Sequence, residues 1–394
     1  MRSANPRSVA ARLGLAHALR GDAADDAALA AVEAQLVAAL AAAPRGARER
    51  ALQSDARSRL ALLLAQEGRH GEAAALMCAL GARYRLARDV LRYPLPPPDT
   101  PAAEAPPVVC ALDGALPASM LAHLRAALSP DGQFWAAHDY HDAATGYFSF
   151  AHALAPPASA FEQALAAVAA LAGAWRPEAR RATAVEWWAH CRPHSSGHQL
   201  HFDSADEGAG PGGPRHPLVS AVLYLSDGDA AHVGGPTLVT PQRRLAGPGG
   251  PRLADRAWLV HPAPGRLAMF DGGVLHGVLP GRGPSPAPGK RRVTLMVALW
   301  DDMQPRHAPP GAPPGAQRSF PDGDAWAVAL AGGPPRDDWA PAACAAVAER
   351  AAPAPVRALG RMWEDVDADA NAAAGAALEQ LTTVPHYALC FQGF

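Results

Sequence analysis

The sequence predicts an α+β chain in which a helical N-terminal region precedes a β-rich sandwich or barrel. Three observations predict it. Residues 8–92 are rich in Ala, Leu, Arg and Glu, with apolar positions three and four apart and Gly at plausible helix ends. A proline-rich stretch, "YPLPPPDTPAAEAPP" from Tyr93 to Pro107, cannot continue a helix and reads as a linker. Beyond it come short β-like runs separated by Gly and Pro loops: 184–191, 216–227, 235–241, 257–262, 265–272, 273–280 and 291–300. Many short strands without intervening helices indicate a sandwich or barrel.

The helical region (1–92) has room for about four helices. "RLALLLAQEGRHGEAAALMCALG", from Arg59 to Gly81, reads as a helix, a turn at Gly68 and an antiparallel partner opened by Glu72 and Ala73. This resembles a tetratricopeptide hairpin, although one unit stands where a stable array needs about three; a generic helical appendage is the alternative. Helical patterns at 117–128 and 158–174 precede the strands and could pack on the outer face of a sheet. After Trp300 the chain (303–394) is proline-heavy, then alanine-rich and helical in pattern from about 341 to 380. Its last residues, "PHYALCFQGF", could dock on the core.

The chain has 394 residues and a formal charge of −2, with no long basic block. That composition gives no electrostatic footprint for nucleic acid and favours a small-molecule or peptide substrate. Five scattered cysteines, none in a C-x-x-C pair, argue against a disulfide framework or a cysteine zinc site and suit a reducing compartment. The longest alanine-leucine run is broken by Glu33 and Gln35, so no transmembrane helix is expected. The first twenty residues hold four arginines, two serines and no acid, a composition compatible with an organellar transit peptide. The first helix of a cytoplasmic protein is the reading adopted.

The chemistry centres on "HQLHFDSADEG". With 16 histidines in 394 residues, His-x-Asp arises about once by chance, so His201-Phe202-Asp203 is weak alone. In a strand, however, residues two apart face the same way, so His201 and Asp203 can project together while Phe202 enters the packing layer. His276, in "GRLAMFDGGVLHGVLPG", offers a third donor. Two imidazoles and a carboxylate on one face form the facial triad of non-heme Fe(II) oxygenases, which leaves positions open for a co-substrate and dioxygen. In "GKRRVTLMVALW", Arg292 and Thr294 share one strand face, giving a guanidinium fork and a hydroxyl suited to a distal carboxylate. Arg291 would face the other way, and an uncertain bulge could exchange the two.

The order "HFD", "VLYLSD" with Tyr224, "GGPT" at 234–237, "PGRLAMFDGGVLHGVLPG" and a basic residue opening the last core strand resembles the Fe(II)/2-oxoglutarate-dependent dioxygenases, particularly their prolyl-4-hydroxylase-like branch. The resemblance spans about residues 105–302, and the domain is placed at 108–302. It implies a double-stranded β-helix (jelly roll) with flanking helices, iron held by His201, Asp203 and His276, and 2-oxoglutarate bound at its far carboxylate by Arg292. Tyr224 and Thr294 would support the co-substrate, and ascorbate is admitted as a further cofactor. The implied reaction hydroxylates a substrate carbon and releases succinate and CO2, with peptidyl proline the leading substrate and a small metabolite the alternative. Two departures stand out: Lys290, Arg291 and Arg292 all compete for the anchor, and the loop from His276 to them is longer than in compact relatives.

Other polar residues read as bland. Spacing of three sets His198 opposite His201, so His198 and His194 are loop or supporting residues. His190, His216, His232 and His261 are taken as solvated or hydrogen-bonded. Of Trp187 and Trp188, one enters the core and the other faces outward or lines a cleft. Asp227 and Asp229 mark an exposed turn, and "GPGGPR" a flexible connection. Two rival classes remain: a zinc or cupin-type hydrolase or isomerase, for which Arg292 has no use, and a non-catalytic binding protein, which has no use for the three donors.

Overall fold

The computed structural model describes residues 8–21, 23–82, 84–95, 108–142, 145–205, 214–244, 253–307 and 315–366. The chain opens with α1 (Val9–Gly21), α2 (Asp26–Ala41), α3 (Ala47–Glu67) and α4 (His70–Cys78), followed by the short β1 (Tyr84–Leu86) and α5 (Arg88–Leu91). Helix α2 begins where the Asp25 side chain accepts from Ala28 N at 2.8 Å, satisfying one of the free amides of the first turn. It buries Leu29, Val32, Leu36 and Ala39, a stripe at helical spacing. Gly68, left-handed at φ +92°, ends α3 and turns the chain into α4, as the Arg59–Gly81 pattern predicted. The second helix opens at His70 rather than Glu72. Most of the proline-rich stretch, 96–107, lies outside the described residues.

From Val109 on, strands dominate: β2 (Val109–Asp113), then helices α6 (Ala118–Ala127) and α7 (Gln133–Ala137), β3 (Phe150–Ala153), α8 (Ala160–Trp175), β4 (Ala184–Arg192) and β5 (His198–His201). There follow β6 (Val219–Tyr224), β7 (Thr237–Arg243), β8 (Ala257–Val260), β9 (Leu267–Asp271), β10 (Val274–Val278) and β11 (Arg292–Trp300). The last described part holds β12 (Arg318–Ser319), α9 (Ala325–Ala331), α10 (Pro341–Ala348), β13 (Ala352–Pro353), β14 (Val356–Leu359) and β15 (Trp363–Asp365). The helix expected from 341 to 380 therefore stops at Ala348. Pro353 and Pro355 cannot continue it: Ala352 and Pro353 pair instead with β2, and the residues after Pro355 pair with β8 and β1. Residues 367–380 and "PHYALCFQGF" lie outside the described residues.

The strands form an eight-stranded sheet, ordered β12-β3-β4-β11-β6-β9-β2-β13, and a five-stranded sheet, ordered β14-β8-β7-β10-β5. Alternation decides what each face touches. Ala184, Trp188, Val222, Tyr224, Met296 and Ala298 of the large sheet meet Val239, Val260 and Val274 of the small one in a shared core. Val185, Trp187, Leu295 and Val297 face the other way and pack under α6, α8 and α9, as the helical patterns at 117–128 and 158–174 anticipated. Leu200, Leu238, Leu259 and Leu275, on the outer face of the small sheet, share a core with α1 to α5. The strand pairing of β1 with β15 ties this helical region to the last described segment. Among the described residues no helix is long and apolar enough to cross a membrane, and the four cysteines described are free.

Candidate metal centre

Strands β5 and β10 run antiparallel with His201 directly opposite His276, and opposed residues on one sheet face bring their side chains together. The two imidazole centroids lie 4.3 Å apart. Asp203, just past the end of β5, swings its carboxylate between them. Its Oδ1 lies 3.3 Å from His201 Nε2 and 3.6 Å from His276 Nε2, and the three donor atoms all fall within 4.8 Å of one another. Phe202 points away into the helical core, as alternation required.

Each imidazole is oriented by its own strand. His201 Nδ1 donates to Gln199 O (2.8 Å) and His276 Nδ1 to Val274 O (3.0 Å), which turns both Nε2 atoms toward the carboxylate. His276 Nε2 is buried and has no hydrogen-bond partner. Asp203 Oδ2 accepts from Ser220 Oγ at 2.6 Å. Burial opposes the charge on Asp203, but His276, His201 and Ser220 outweigh it and hold the carboxyl well below its usual range. Burial pushes His276 down to about 4 despite the neighbouring Asp203. Burial also pulls on His201, yet the hydrogen bond and charge of Asp203 prevail and raise it. A buried carboxylate facing an orphaned, neutral imidazole nitrogen is the donor set of a divalent cation, and it fits Fe(II).

Above this cluster opens a cavity of about 510 Å³ including its mouth, lined from both sheets. Because β11 lies between β4 and β6, its register sets the inner side chains in rungs: Arg292 beside Arg192, Thr294 between His190 and Tyr224, Met296 between Trp188 and Val222. Arg292 donates from Nη1 to Gly235 O (3.1 Å), with Nη2 3.5 Å from Ser196 O. Tyr224 Oη and Thr237 Oγ1 share a 2.6 Å hydrogen bond. The guanidinium of Arg292 lines the cavity, whereas Arg291 is half-buried outside it and Lys290 is exposed.

His198, expected to be a loop or supporting residue, and His190, expected to be solvated or hydrogen-bonded, both line this cavity. The β5–β10 register shifts between His276 and Val278, so His198 pairs with Val278 and its ring turns back onto His201, 4.6 Å away. The opposite-face argument for His198 assumed a regular strand, and this irregularity defeats it. His190 is held on the inner face of β4, its Nδ1 3.0 Å from Tyr140 Oη. His194 is buried in the turn before β5, accepting from Gly234 N at 3.0 Å. Trp187 is core and Trp188 lines the cavity. Sequence reasoning missed Ser220, Thr237 and Arg192. For Ser220 and Arg192 the signal was strand alternation, from Tyr224 back to Ser220 and from Trp188 on to Arg192.

No sequence-family model matches this chain, and no curated protein matches it. Several solved structures are similar to part of this chain, at low identity and low TM-score. A prolyl-4-hydroxylase from Pseudomonas putida is 22% identical, with 49% of this chain and 85% of that one covered at a TM-score of 0.27. A 2OG-Fe(II) oxygenase-family oxidoreductase from Burkholderia pseudomallei is 15% identical over 54% and 87%, with a TM-score of 0.27. A prolyl hydroxylase from Trichoplax adhaerens, solved with a hypoxia inducible factor peptide fragment, is 12% identical over 49% and 83%, with a TM-score of 0.26.

Proposed function

We propose that this chain is an Fe(II)- and 2-oxoglutarate-dependent dioxygenase built on a double-stranded β-helix at 108–302. The observation that carries the reading is the buried His201–Asp203–His276 cluster at the base of a cavity whose wall presents the guanidinium of Arg292. In this reading His201, Asp203 and His276 hold the metal. Arg292 takes the far carboxylate of 2-oxoglutarate through its planar fork. Thr294 and Tyr224, one rung from Arg292, flank the co-substrate, with Tyr224 held by Thr237. Bound Fe(II), with 2-oxoglutarate and dioxygen, supplies the oxidising equivalents for hydroxylating a C–H bond, with release of succinate and CO2. The protein's share is orientation and exclusion of water: the imidazoles are fixed by backbone carbonyls, and Trp188, Val222 and Met296 form the apolar wall. A zinc hydrolase would leave the buried Arg292 without a task.

Peptidyl proline is the substrate we favour. The prolyl-hydroxylase-like order of motifs supports it, as does the α3–α4 hairpin, whose sequence resembles a tetratricopeptide unit.

The test is an anaerobic titration of the full chain with Fe(II) and 2-oxoglutarate, watched for the visible charge-transfer band, with His276→Ala as control. Native protein should develop the band and the variant should not; a native protein without it refutes the assignment. Turnover assays with ascorbate, followed by mass spectrometry of proline peptides and of free metabolites, then locate the added oxygen. Oxygen on a free metabolite and none on proline peptides rejects the peptide substrate.

A further inference from the structure

Besides covering the outer face of the small sheet, the helical region hydrogen-bonds to the turn after β10 at the back of the cavity wall. Tyr93, just after α5, is buried, and its Oη donates to Pro280 O (3.1 Å) while accepting from Arg282 N (2.8 Å). Gln66 of α3 donates to the same Pro280 O (3.1 Å), and Arg20 of α1 to Gly281 O (2.9 Å). Three helical segments thus grip three consecutive residues of the long loop between His276 and Arg292.

That loop passes the constraint inward. Gly281 N donates to His194 O (2.8 Å), and His194 Nε2 lies 3.2 Å from Arg282 O while its Nδ1 accepts from Gly234 N. Gly234 sits at φ +85°, and a Cβ there would stand 2.5 Å from Arg292 Nη1. Gly235 carries the carbonyl that receives Arg292, and a Cβ on it would stand 2.9 Å from Tyr93 Oη. The guanidinium thus lies against Gly234 and bonds the carbonyl of Gly235, and the phenol lies beside Gly235.

We propose that the N-terminal helical region, with Tyr93 as its hub, is a positioning element that sets the Arg292 guanidinium and so the site's affinity for the far carboxylate of a 2-oxo dicarboxylic acid. This rests on the reading of Arg292 as the co-substrate anchor. Tyr93 acts through Gly235 and the 280–282 turn and not by touching the co-substrate, so its effect should be confined to ligands that reach Arg292.

The experiment uses the full chain loaded with Mn(II) under nitrogen, with tryptophan fluorescence reporting binding of 2-oxoglutarate and of pyruvate, which lacks the far carboxylate. Tyr93→Phe, which removes both hydrogen bonds of the phenol, should weaken 2-oxoglutarate about fivefold, on the scale of one neutral hydrogen bond transmitted to the anchor, and leave pyruvate unchanged. In turnover it should raise KM for 2-oxoglutarate by a similar factor with kcat within about twofold. Arg20→Met should show the same split, and Gln66→Leu replaces either variant should its thermal midpoint show that it does not fold. Native-like 2-oxoglutarate binding in these variants, or equal loss of both ligands, overturns the proposal, provided Arg292→Gln weakens 2-oxoglutarate. Unchanged binding in Arg292→Gln overturns the anchor reading and the proposal together.

Discussion

The hydroxyl of Ser220 holds one oxygen of Asp203, so the other is left to face His201 and His276. Partners of this kind fix the orientation of a ligand and typically influence metal affinity by about tenfold. Ser220→Ala should therefore weaken Mn(II) binding by about tenfold in an electron paramagnetic resonance titration; unchanged affinity would show that the imidazoles alone hold the carboxylate. Glu186, on the same inner face of β4, is a second buried acid. Burial pushes it up to about 7, the charge of Asp203 adds to this, and the hydrogen bond from Ser149 Oγ opposes it. A carboxyl raised on folding binds its proton more tightly in the folded chain, so its contribution to stability is present below about pH 4.5 and is lost as pH rises through about 7. Glu186→Gln, which keeps an acceptor for Ser149, should remove this loss, about 3 kcal/mol, from the difference between the two stability–pH curves. Parallel curves from pH 4 to 8 would count against it. The triad was legible because its spacing and order carry information; Ser220 was not, because a single hydroxyl in "HPLVSAVLYLSD" gains meaning only once its partner across the barrel is known.

At the level of elements, the seven β-like runs all became strands, because each alternates or stays apolar over a length that one sheet layer can bury. What alternation could not supply was irregularity. The shift between β5 and β10 brings His198 to the cavity, and nothing in "HQLHFD" encodes it, since a bulge is set by the partner strand. The C-terminal strands escaped notice for a similar reason: residues 352–365 follow an alanine-rich helical run, and their partners lie far away in β2, β8 and β1. The "GGPT" element is the opposite case, noticed as a motif before its physical task was visible. Gly234 must be glycine on two counts, its positive φ and the guanidinium where a Cβ would stand. Gly234→Ala should therefore displace Arg292 and weaken 2-oxoglutarate by about tenfold, in line with strain of 1–3 kcal/mol, while Mn(II) binds as in the native chain. Equal weakening of metal and 2-oxoglutarate would mean that the turn supports the whole barrel and not the anchor alone.

For the whole molecule, the proposed division into a helical region at 1–92 and a catalytic barrel at 108–302 predicts less independence than a two-part description suggests. The outer face of the small sheet is apolar: Leu200, Leu238, Leu259 and Leu275 are covered by α1 to α5, with Leu36, Leu60 and Leu63 in the same core. At roughly 1.5–3 kcal/mol per buried leucine, those four sheet residues alone are worth on the order of an entire domain's net stability of 5–15 kcal/mol. The composition boundary at Tyr93–Pro107 marks a change of secondary structure, whereas a change of core would require the two parts to bury their apolar faces separately. A chain beginning at residue 108 should thus expose the face the helices cover. It should bind a hydrophobic dye and lack a cooperative thermal transition, whereas the full chain should unfold in one step and resist release of a barrel fragment by limited proteolysis. A soluble fragment that melts cooperatively and binds 2-oxoglutarate as the full chain does would show the opposite: that the helical region is a module attached to a self-sufficient barrel, and that the grip of Arg20, Gln66 and Tyr93 on the 280–282 turn is dispensable.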